Sequence, residues 1–418
     1  MKSFRRTEIL LPKDCDMTKW SVVACDQFSS QPEYWAALES DCADVPSTLH
    51  LMLPEAYLES RDQFEAAQQI NAEMQRYLDE GVFRTLPDSF IYVERTLASG
   101  ILRRGLVGAL DLEDYDFSAG STSCIRATEA TVEKRLPPRV RVREGAALDL
   151  PHIMVFIDDA ADAVMSCAAA EKQPDTCVYD FELSAGGGRI RGWQLSGSAA
   201  DRIDAAIDAL ADPTLLRKKY GDAAPVIFAM GDGNHSLATA KLCWEKRKAG
   251  LSAAQAEEDP ARFALVELVN IHDPAIGFEP IHKVVFDTDP AQFLSAAEKY
   301  FAPHLSEAEG GHLVRFLTAE GERTLHLGGF TIGKLIGAAE DFCQSYLAEH
   351  GGYVDYIHND DTAIGMGRRP GCAAVLLPKM EKSELFSSVI RSGSFPKKSF
   401  SIGHAEDKRY YLECRRIR

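Results

Sequence analysis

The sequence predicts an α+β fold in which mixed sheets combine hairpins with flanking helices. Two hairpins are indicated, one turning at Ser99-Gly100 and one at Ala185-Gly186-Gly187-Gly188. A helix is predicted between Pro54 and Gly81, because its apolar residues recur at intervals of three or four. Since strands cluster in hairpins as often as they alternate with helices, we expect mixed sheets rather than one doubly wound parallel sheet.

The remaining predicted elements suggest three parts. Further strands are predicted at 90–93, 101–112, 152–157, 177–183, 189–195, 225–230 and 263–271. Between 290 and 350 the pattern indicates a helix, two strands and a second helix, and the C-terminal stretch adds a strand, a helix and a last strand at 409–414. We therefore predict a main domain at 1–285, a smaller α+β module at 286–350, and a C-terminal segment, 351–418, that packs back on the main domain.

Composition excludes several classes of function. The chain has 418 residues, a formal net charge of −17 and ten cysteines, none in Cys-x-x-Cys spacing. A strongly acidic protein repels nucleic acid but is compatible with a small anionic substrate that a few local cations collect. The first residues lack the apolar core that a signal peptide needs, so we expect no export signal there, and no run of about 20 apolar residues could cross a membrane. Scattered thiols then predict a reducing cytoplasm, with a small molecule as the binding partner.

The segment around Gly231-Asp232-Gly233-Asn234-His235-Ser236 is the strongest candidate site. It follows the apolar run 225–230, predicted as a buried strand, and precedes a predicted helix. The glycines allow a sharp turn, and the N-terminus of a helix attracts anions. Asp232 could hold Mg²⁺ or act as a base, Asn234 and Ser236 could donate to phosphate oxygens, and His235 could bind phosphate or move a proton. The alternative is a plain helix cap.

Other patterns have weaker functional readings. The run Gly328–Leu335 fits most of a P-loop, but Leu335 replaces the hydroxyl residue that binds Mg²⁺, so we interpret it as a loop entering a helix. The glycines at 186–188 are better explained by a hairpin turn than by a phosphate site. Cys25 could be a nucleophile, although buried cysteines are common. The segments 125–129, predicted to open a helix, 280–283, 355–358 and 395–399 each resemble ordinary surface pairs when taken alone.

Taken together, these segments resemble a known family. Asp26 at its strand end, the turn at Asp232, and the segments 125–129, 280–283, 355–358 and 396–399 occur in an order similar to the bacterial domain-of-unknown-function family "ten-fifteen" (DUF1015). The resemblance covers essentially the whole chain. That family is in turn similar, through an Asp-Gly-His-His-Arg turn, to free serine kinases of the ParB/sulfiredoxin-like superfamily. The resemblance implies a ParB/sulfiredoxin-like core and a small-molecule phosphotransferase acting on free L-serine or a similar metabolite.

The family motif transfers to this chain residue by residue. Asp232 and Gly233 match it and His235 matches its second histidine, whereas Asn234 replaces the first histidine and Ser236 replaces the arginine. The resemblance also implies Mg²⁺, with Asp232 as its tentative ligand, and ATP, ADP or pyrophosphate as phosphoryl donor. With the motif arginine missing, the cation has to come from elsewhere. The residues expected to complete the site are Arg126, Lys283 or Lys397 as cations, His282 as a substrate contact, Asp26 as the base, and Glu129 as the alternative base.

Two other functions fit the same residues. A phosphohydrolase of a phosphorylated metabolite would use water in place of the acceptor hydroxyl. A non-catalytic nucleotide-binding regulator would bind its ligand without consuming it. Dependence of the rate on an acceptor distinguishes the kinase from the hydrolase, and consumption of the ligand distinguishes either enzyme from the regulator.

Overall fold

The computed structural model describes residues 3–150, 152–306, 311–403 and 405–418, which contain both strands and helices. The strands are β1 (Phe4–Arg5), β2 (Thr7–Pro12), β3 (Val22–Val23), β4 (Phe83–Thr96), β5 (Leu102–Asp111), β6 (Tyr115–Asp116), β7 (Ile125–Arg126), β8 (Leu148–Asp149), β9 (Met154–Ile157), β10 (Cys177–Glu182), β11 (Arg189–Leu195), β12 (Phe228–Asp232), β13 (Phe263–Asn270), β14 (Phe278–Pro280), β15 (His282–Phe286), β16 (His312–Thr318), β17 (Glu322–Leu327), β18 (Tyr353–Ile357), β19 (Cys372–Leu376), β20 (Phe400–Ile402), β21 (Tyr410–Tyr411) and β22 (Arg415–Arg416). The α-helices are α1 (Met17–Trp20), α2 (Pro32–Cys42), α3 (Gln63–Asp79), α4 (Leu136–Gly145), α5 (Ala163–Ala170), α6 (Gly197–Leu210), α7 (Pro213–Tyr220), α8 (Asn234–Lys248), α9 (Ala253–Glu258), α10 (Pro290–Phe301), α11 (Ile332–His350), α12 (Asp360–Gly367) and α13 (Lys382–Ser392).

A large mixed sheet organises the first of two compact units. This unit is drawn from Met1–Ala127, Thr131–Ile276 and Gly403–Arg418. Its strands lie in the order β10-β11-β4-β5-β13-β9-β12-β7-β6, with β1 added beside β5 and β2 beside β4. The pairings β13–β9, β12–β7 and β7–β6 are parallel and the others in this sheet are antiparallel. The chain therefore has a mixed α/β architecture, as its hairpin content predicts.

The centre of this sheet is buried on both faces. Every residue of β13 and of β9 is buried, which explains why both read as nearly continuous apolar runs rather than as alternating strands. On one face, helices α5, α6 and α8 pack their apolar residues, such as Val164, Ile203 and Trp244, against the sheet. Because β12 also lies in this layer and leads directly into α8, the turn between them is held by a rigid scaffold.

The second unit is built around an antiparallel sheet. It comprises Thr128–Ala130 and Gly277–Ile402. Its five strands lie in the order β17-β16-β19-β15-β18, and a separate ladder joins β14 to β20. Helix α10 packs against β16, β17 and α11. In the core of this unit the aromatic rings pack against one another in tilted and edge-to-face pairs, formed by Phe293, Phe301, Phe316 and Phe342.

These units divide the chain differently from the predicted boundaries at 285 and 350. The predicted module 286–350 contains α10, β16, β17 and α11, but its sheet is completed by β15, β18 and β19 from outside that range. β19 lies between β16 and β15. The free edge of β16 in the hairpin β16–β17 is therefore covered only when residues 372–376 pair with it. Of the predicted C-terminal segment, only residues 403–418 belong to the first unit.

Two local predictions also differ from the structure. The long helix predicted from Pro54 starts later, at Gln63, because the Asp62 carboxylate accepts hydrogen bonds from Phe64 N and Glu65 N, both at 2.9 Å, and so caps it there. Residues Ile125 and Arg126 do not open a helix but form β7 between β6 and β12. Among the described residues, no helix is both long and apolar enough to span a membrane.

The hairpin β10–β11 gives a test of the fold. Gly186 and Gly188 both have positive φ, 76° and 78°, but a Cβ at 186 would meet open space, whereas one at 188 would overlap the carbonyl oxygen of Thr96. We expect Gly186→Ala to lower the free energy of unfolding by about 1 kcal/mol through backbone strain alone. Gly188→Ala should lower it by about 2 kcal/mol more, because backbone has to move. Urea unfolding followed by circular dichroism measures both, and equal losses would contradict this packing.

Candidate functional site

The turn between β12 and α8 presents the N-terminal end of a helix. β12 ends at Asp232, and Gly233 takes the left-handed conformation, with φ of 78°, before α8 begins at Asn234. A Cβ at Gly233 would lie 3.1 Å from Cα of Ile153, so the turn needs glycine both for its conformation and for this close approach. No side chain among the described residues caps α8 at Gly233. The first-turn N–H groups and the positive end of the helix dipole therefore form an anion-attracting end.

Asp232 is held by two contacts at this turn. Its Oδ1 accepts a hydrogen bond from Gly233 N at 2.8 Å. Its Oδ2 lies 3.2 Å from Nζ of Lys408, and both side chains are largely buried, with exposed fractions of 20% and 15%. Lys408 belongs to the C-terminal segment, more than 170 residues further along the chain. The fold thus brings a lysine to the predicted phosphate turn, where the family motif has an arginine.

The position of Lys408 is fixed through its backbone. The buried guanidinium of Arg95 donates to the carbonyl oxygens of Lys408 at 2.6 Å and Asp407 at 3.2 Å, and also to that of Glu406. Arg103 donates to the Asp407 carbonyl at 2.7 Å. Burial, together with the charge of Arg103, lowers the pKa of Arg95 to about 9. Two arginines of neighbouring strands therefore hold the segment 406–408 against the sheet.

Asp26 lies in the same group of charges. Burial acts to raise the pKa of its carboxyl, but electrostatic interaction with His152, a hydrogen bond from Gln27 and the charges of Lys408 and Arg139 outweigh this effect and lower the pKa. The Gln27 amide donates to Asp26 Oδ1 at 2.9 Å. The carboxylate of Asp26 is therefore ionised at neutral pH. Lys408 interacts with both predicted catalytic carboxylates, Asp26 and Asp232.

A cavity of about 140 Å³ adjoins this charged group within the first unit. Its wall includes Ser236 from the first turn of α8, His152 and Cys25, which precedes Asp26. His152 Nδ1 lies 2.8 Å from the hydroxyl of Tyr411. Burial and the neighbouring Asp26 raise the pKa of Cys25 to about 11, so the thiol stays protonated near neutral pH. This environment disfavours the alternative in which Cys25 is a nucleophile.

The other residues of the turn contact the protein itself. His235 Nε2 accepts a hydrogen bond from Val132 N at 3.1 Å, and its carbonyl accepts one from Thr239 Oγ1 at 2.7 Å. The side-chain oxygen of Asn234 is buried and has no hydrogen-bond partner among the described residues. Ser236 faces the cavity. Of the turn residues, Asn234 and Ser236 are thus better placed than His235 to receive a ligand.

Arg126 does not supply the predicted phosphate contact. Its guanidinium is buried and donates to the carbonyl oxygens of Ser123 at 2.6 Å and Ala224 at 2.8 Å, with a longer contact to that of Pro225. Burial lowers the pKa of Arg126. The side chain joins the loops that flank β7 and β12. The structure therefore assigns it to the scaffold of the turn.

Four other predicted site residues belong to the second unit. His282 is buried there, with Nε2 at 2.8 Å from Asp360 and Nδ1 accepting from Leu377 N at 3.1 Å. The Lys283 ammonium is buried and lies 2.6 Å from Glu340. Glu129 accepts from Ser399 N at 3.4 Å, and Lys397 is exposed. His282 and Lys283 are thus engaged inside the second unit, whereas Glu129 and Lys397 remain predictions.

The described residues do not form a metal site made of protein ligands alone. No group of three metal-ligating side chains comes together in the parts of the chain that the structure describes. Asp232, the predicted Mg²⁺ ligand, is already paired with Lys408. These donors do not fit a resident magnesium ion. Magnesium usually keeps several water ligands and takes others from phosphate, so that it needs only one or two carboxylates from the protein. At this site it would therefore have to arrive bound to a phosphate compound.

Sequence comparison identifies the family. The profile of the family described as "Protein of unknown function (DUF1015)" matches residues 8–411. The chain therefore belongs to this family, as its motifs indicate. A search of curated proteins found no significant match.

Comparison of folds found remote likenesses among solved structures. A conserved hypothetical protein from Pyrococcus furiosus aligns with a TM-score of 0.33 and 10% identity, covering 72% of this chain and 92% of that one. Free serine kinase in complex with AMP aligns with a TM-score of 0.36 and 10% identity, over 73% and 90% of the two chains. SbnI from Staphylococcus aureus, truncated at its C-terminus, aligns with a TM-score of 0.36 and 10% identity, over 71% and 82%.

The effect of Lys408 on Asp26 predicts that the pKa of Asp26 changes when Lys408 is neutralised. In Lys408→Met the pKa of Asp26 should rise, because one of the charges that lowers it is removed. Carbon-detected NMR titration, with Asp26→Asn to assign the signal, measures this. Lys19→Met, at a lysine of the same unit that does not act on Asp26, is the control and should leave the titration unchanged.

The same variant should alter stability in a pH-dependent way. A carboxyl whose pKa is lowered by folding stabilises the folded state above its ordinary pKa, and this contribution is lost as pH falls through the lowered value. The stability deficit of Lys408→Met should therefore be larger at neutral pH than in acid. A deficit that does not change with pH would show that Lys408 acts on packing alone.

Proposed function

We propose that the protein transfers a phosphoryl group to the hydroxyl of a small metabolite. The observation that carries the proposal is the ion pair of Asp232 with Lys408 at the N-terminus of α8, beside a cavity and with Asp26 under the charge of the same lysine. Phosphoryl transfer requires mainly positioning and charge neutralisation, which a helix end, a lysine and a carboxylate base supply. The finer expectations from the sequence, namely a ParB/sulfiredoxin-like core, a cytoplasmic location and free L-serine or a similar metabolite as acceptor, belong to this proposal.

Each residue of the group has a part in the proposed reaction. The first-turn N–H groups of α8 and the hydroxyl of Ser236 hold the phosphate that is transferred, and Lys408 neutralises its charge. The acceptor oxygen forms a bond to phosphorus while the bond from phosphorus to the leaving oxygen of the donor breaks. The proton of the acceptor hydroxyl passes to Asp26, and Asp232 keeps Lys408 in place. Magnesium, bound to the donor phosphates, would supply further charge neutralisation.

The reaction and its donor can be identified together. Phosphorus NMR of the full chain with Mg²⁺ and L-serine, with ATP, ADP or pyrophosphate in turn, should show a new phosphomonoester with one of the donors. The signal should require both the acceptor and that donor. Release of inorganic phosphate at the same rate without an acceptor would instead establish the phosphohydrolase. Binding of a nucleotide without any loss of it would establish the regulator.

Asp232 gives the sharpest test of the site. In Asp232→Asn the ammonium of Lys408 loses its carboxylate partner, and turnover should fall by about 100-fold or more, which is the usual effect of losing an oriented electrostatic group. The fold should persist, since the amide keeps the size of the side chain. Asp222→Asn, which removes an exposed carboxylate that pairs with Arg217 in the same unit, should keep full activity. Full activity in Asp232→Asn would remove Asp232 from the mechanism.

A further inference from the structure

The cavity beside the charged group has a largely apolar wall. Most of its lining side chains are aliphatic, contributed by residues 51–58, by Met74 of α3 and by Val142 of α4. Polar groups lie where the wall meets the turn of α8, at Ser236 and His152. Free L-serine has no apolar group that would use such a wall. The composition of the wall therefore indicates something about the acceptor that the charged group alone does not.

The charged side chains in this wall are already paired with each other. Arg139 forms an ion pair with Glu55. Arg143 lies 2.5 Å from Asp149, which also accepts from Leu265 N at 2.9 Å. A buried charge that has a partner gains little from a polar ligand, and removing its partner is costly. These pairs therefore close the wall to a hydrophilic ligand instead of offering it free charges.

The size of the cavity limits what it can hold. Its volume is about 140 Å³. An apolar protein cavity of about 150 Å³ accommodates one benzene molecule. The space therefore suits a phenyl ring or a branched alkyl group.

We propose that the acceptor is a hydroxyl compound that carries an apolar group of about the size of a phenyl ring. This inference rests on the proposed phosphoryl transfer and names its substrate class. The apolar group occupies the cavity that Met74 of α3 and Val142 of α4 help to line, and the hydroxyl lies toward Ser236 and Cys25, the residue before Asp26. Burial of the apolar group supplies binding energy that holds the hydroxyl near the base.

Binding of a graded series of compounds tests the inference without any phosphoryl donor. L-serine, L-threonine, 3-hydroxyleucine and 3-phenylserine share the same hydroxyl amino acid frame and differ in the size of the apolar group. Isothermal titration calorimetry of the full chain should show the dissociation constant falling by about fourfold for each buried methylene group added. A dissociation constant that stays the same or rises along the series would overturn the inference.

A variant that fills the cavity locates the binding. Val142→Phe should weaken binding of 3-phenylserine by about tenfold or more while leaving that of L-serine unchanged, so a retained L-serine signal also shows that the variant is folded. Val140→Phe adds the same volume to the same helix outside the cavity wall and should change neither. Equal effects of the two substitutions on 3-phenylserine would overturn the assignment to this cavity.

The outcomes separate this inference from the proposed function. Phosphorylation of L-serine without any gain in affinity along the series would keep the phosphotransferase and reject the apolar acceptor. Tight, Val142-dependent binding of 3-phenylserine, with no phosphoryl transfer to it from any donor, would keep the cavity assignment and reject the phosphotransferase. Absence of binding by all four compounds would overturn the acceptor class.

Discussion

The position of the C-terminal segment depends on a buried ion-pair network in the first unit. Arg409 lies 2.8 Å from Glu267 of β13 and 2.7 Å from Glu413, and Glu413 accepts a hydrogen bond from the Tyr179 hydroxyl at 2.6 Å. Gly105 on the neighbouring strand leaves the room that the Glu267 side chain fills. Removing one partner from such a network leaves an unpaired buried charge, which costs about 3–5 kcal/mol. Because Arg409 pairs with both Glu267 and Glu413 in this arrangement, residues 409–413 are held against the sheet.

The charged group of the candidate site is a consequence of that constraint. Lys408 directly precedes Arg409. The network that fixes Arg409 therefore also fixes the position of the Lys408 backbone. Arg95 then binds the carbonyl oxygens of the segment 406–408 from the side of β4. A lysine is a flexible point charge, and both of these anchors act on its backbone rather than on its ammonium. The ammonium, which pairs with Asp232 and acts on Asp26, therefore has a starting position that the fold determines.

The sequence predicts the parts of the site that are local and misses those that depend on long-range contacts. The strand, turn and helix around Asp232 follow from an apolar run, two glycines and a helical period, and the structure contains them. Lys408 lies in a short polar segment with no period or motif of its own, and only the sheet topology brings it to the turn. For Arg126 the residue type predicts a cation at the phosphate site. In the structure, however, β7 pairs with β12, and the guanidinium of Arg126 donates to backbone carbonyl oxygens instead. The sequence also predicts the strand that becomes β19, but not that this strand lies between β16 and β15 and completes the sheet of the second unit.

The balance of charge at this site bears on how a phosphate compound enters it. Asp232 is paired with Lys408, which also acts on Asp26, while Arg139, a further cation that acts on Asp26, is already paired with Glu55. Of the lysine and arginine side chains in this group, Lys408 thus faces two carboxylates. A bare polyphosphate would meet net repulsion from these side chains, which the dipole of α8 offsets only in part, since a helix end contributes about half a unit of charge. A donor that enters with its own bound cations avoids this repulsion, and the site then needs no resident metal. A donor of this kind is consistent with two features of the site. Asp232 pairs with a lysine, and the described residues contain no cluster of protein metal ligands.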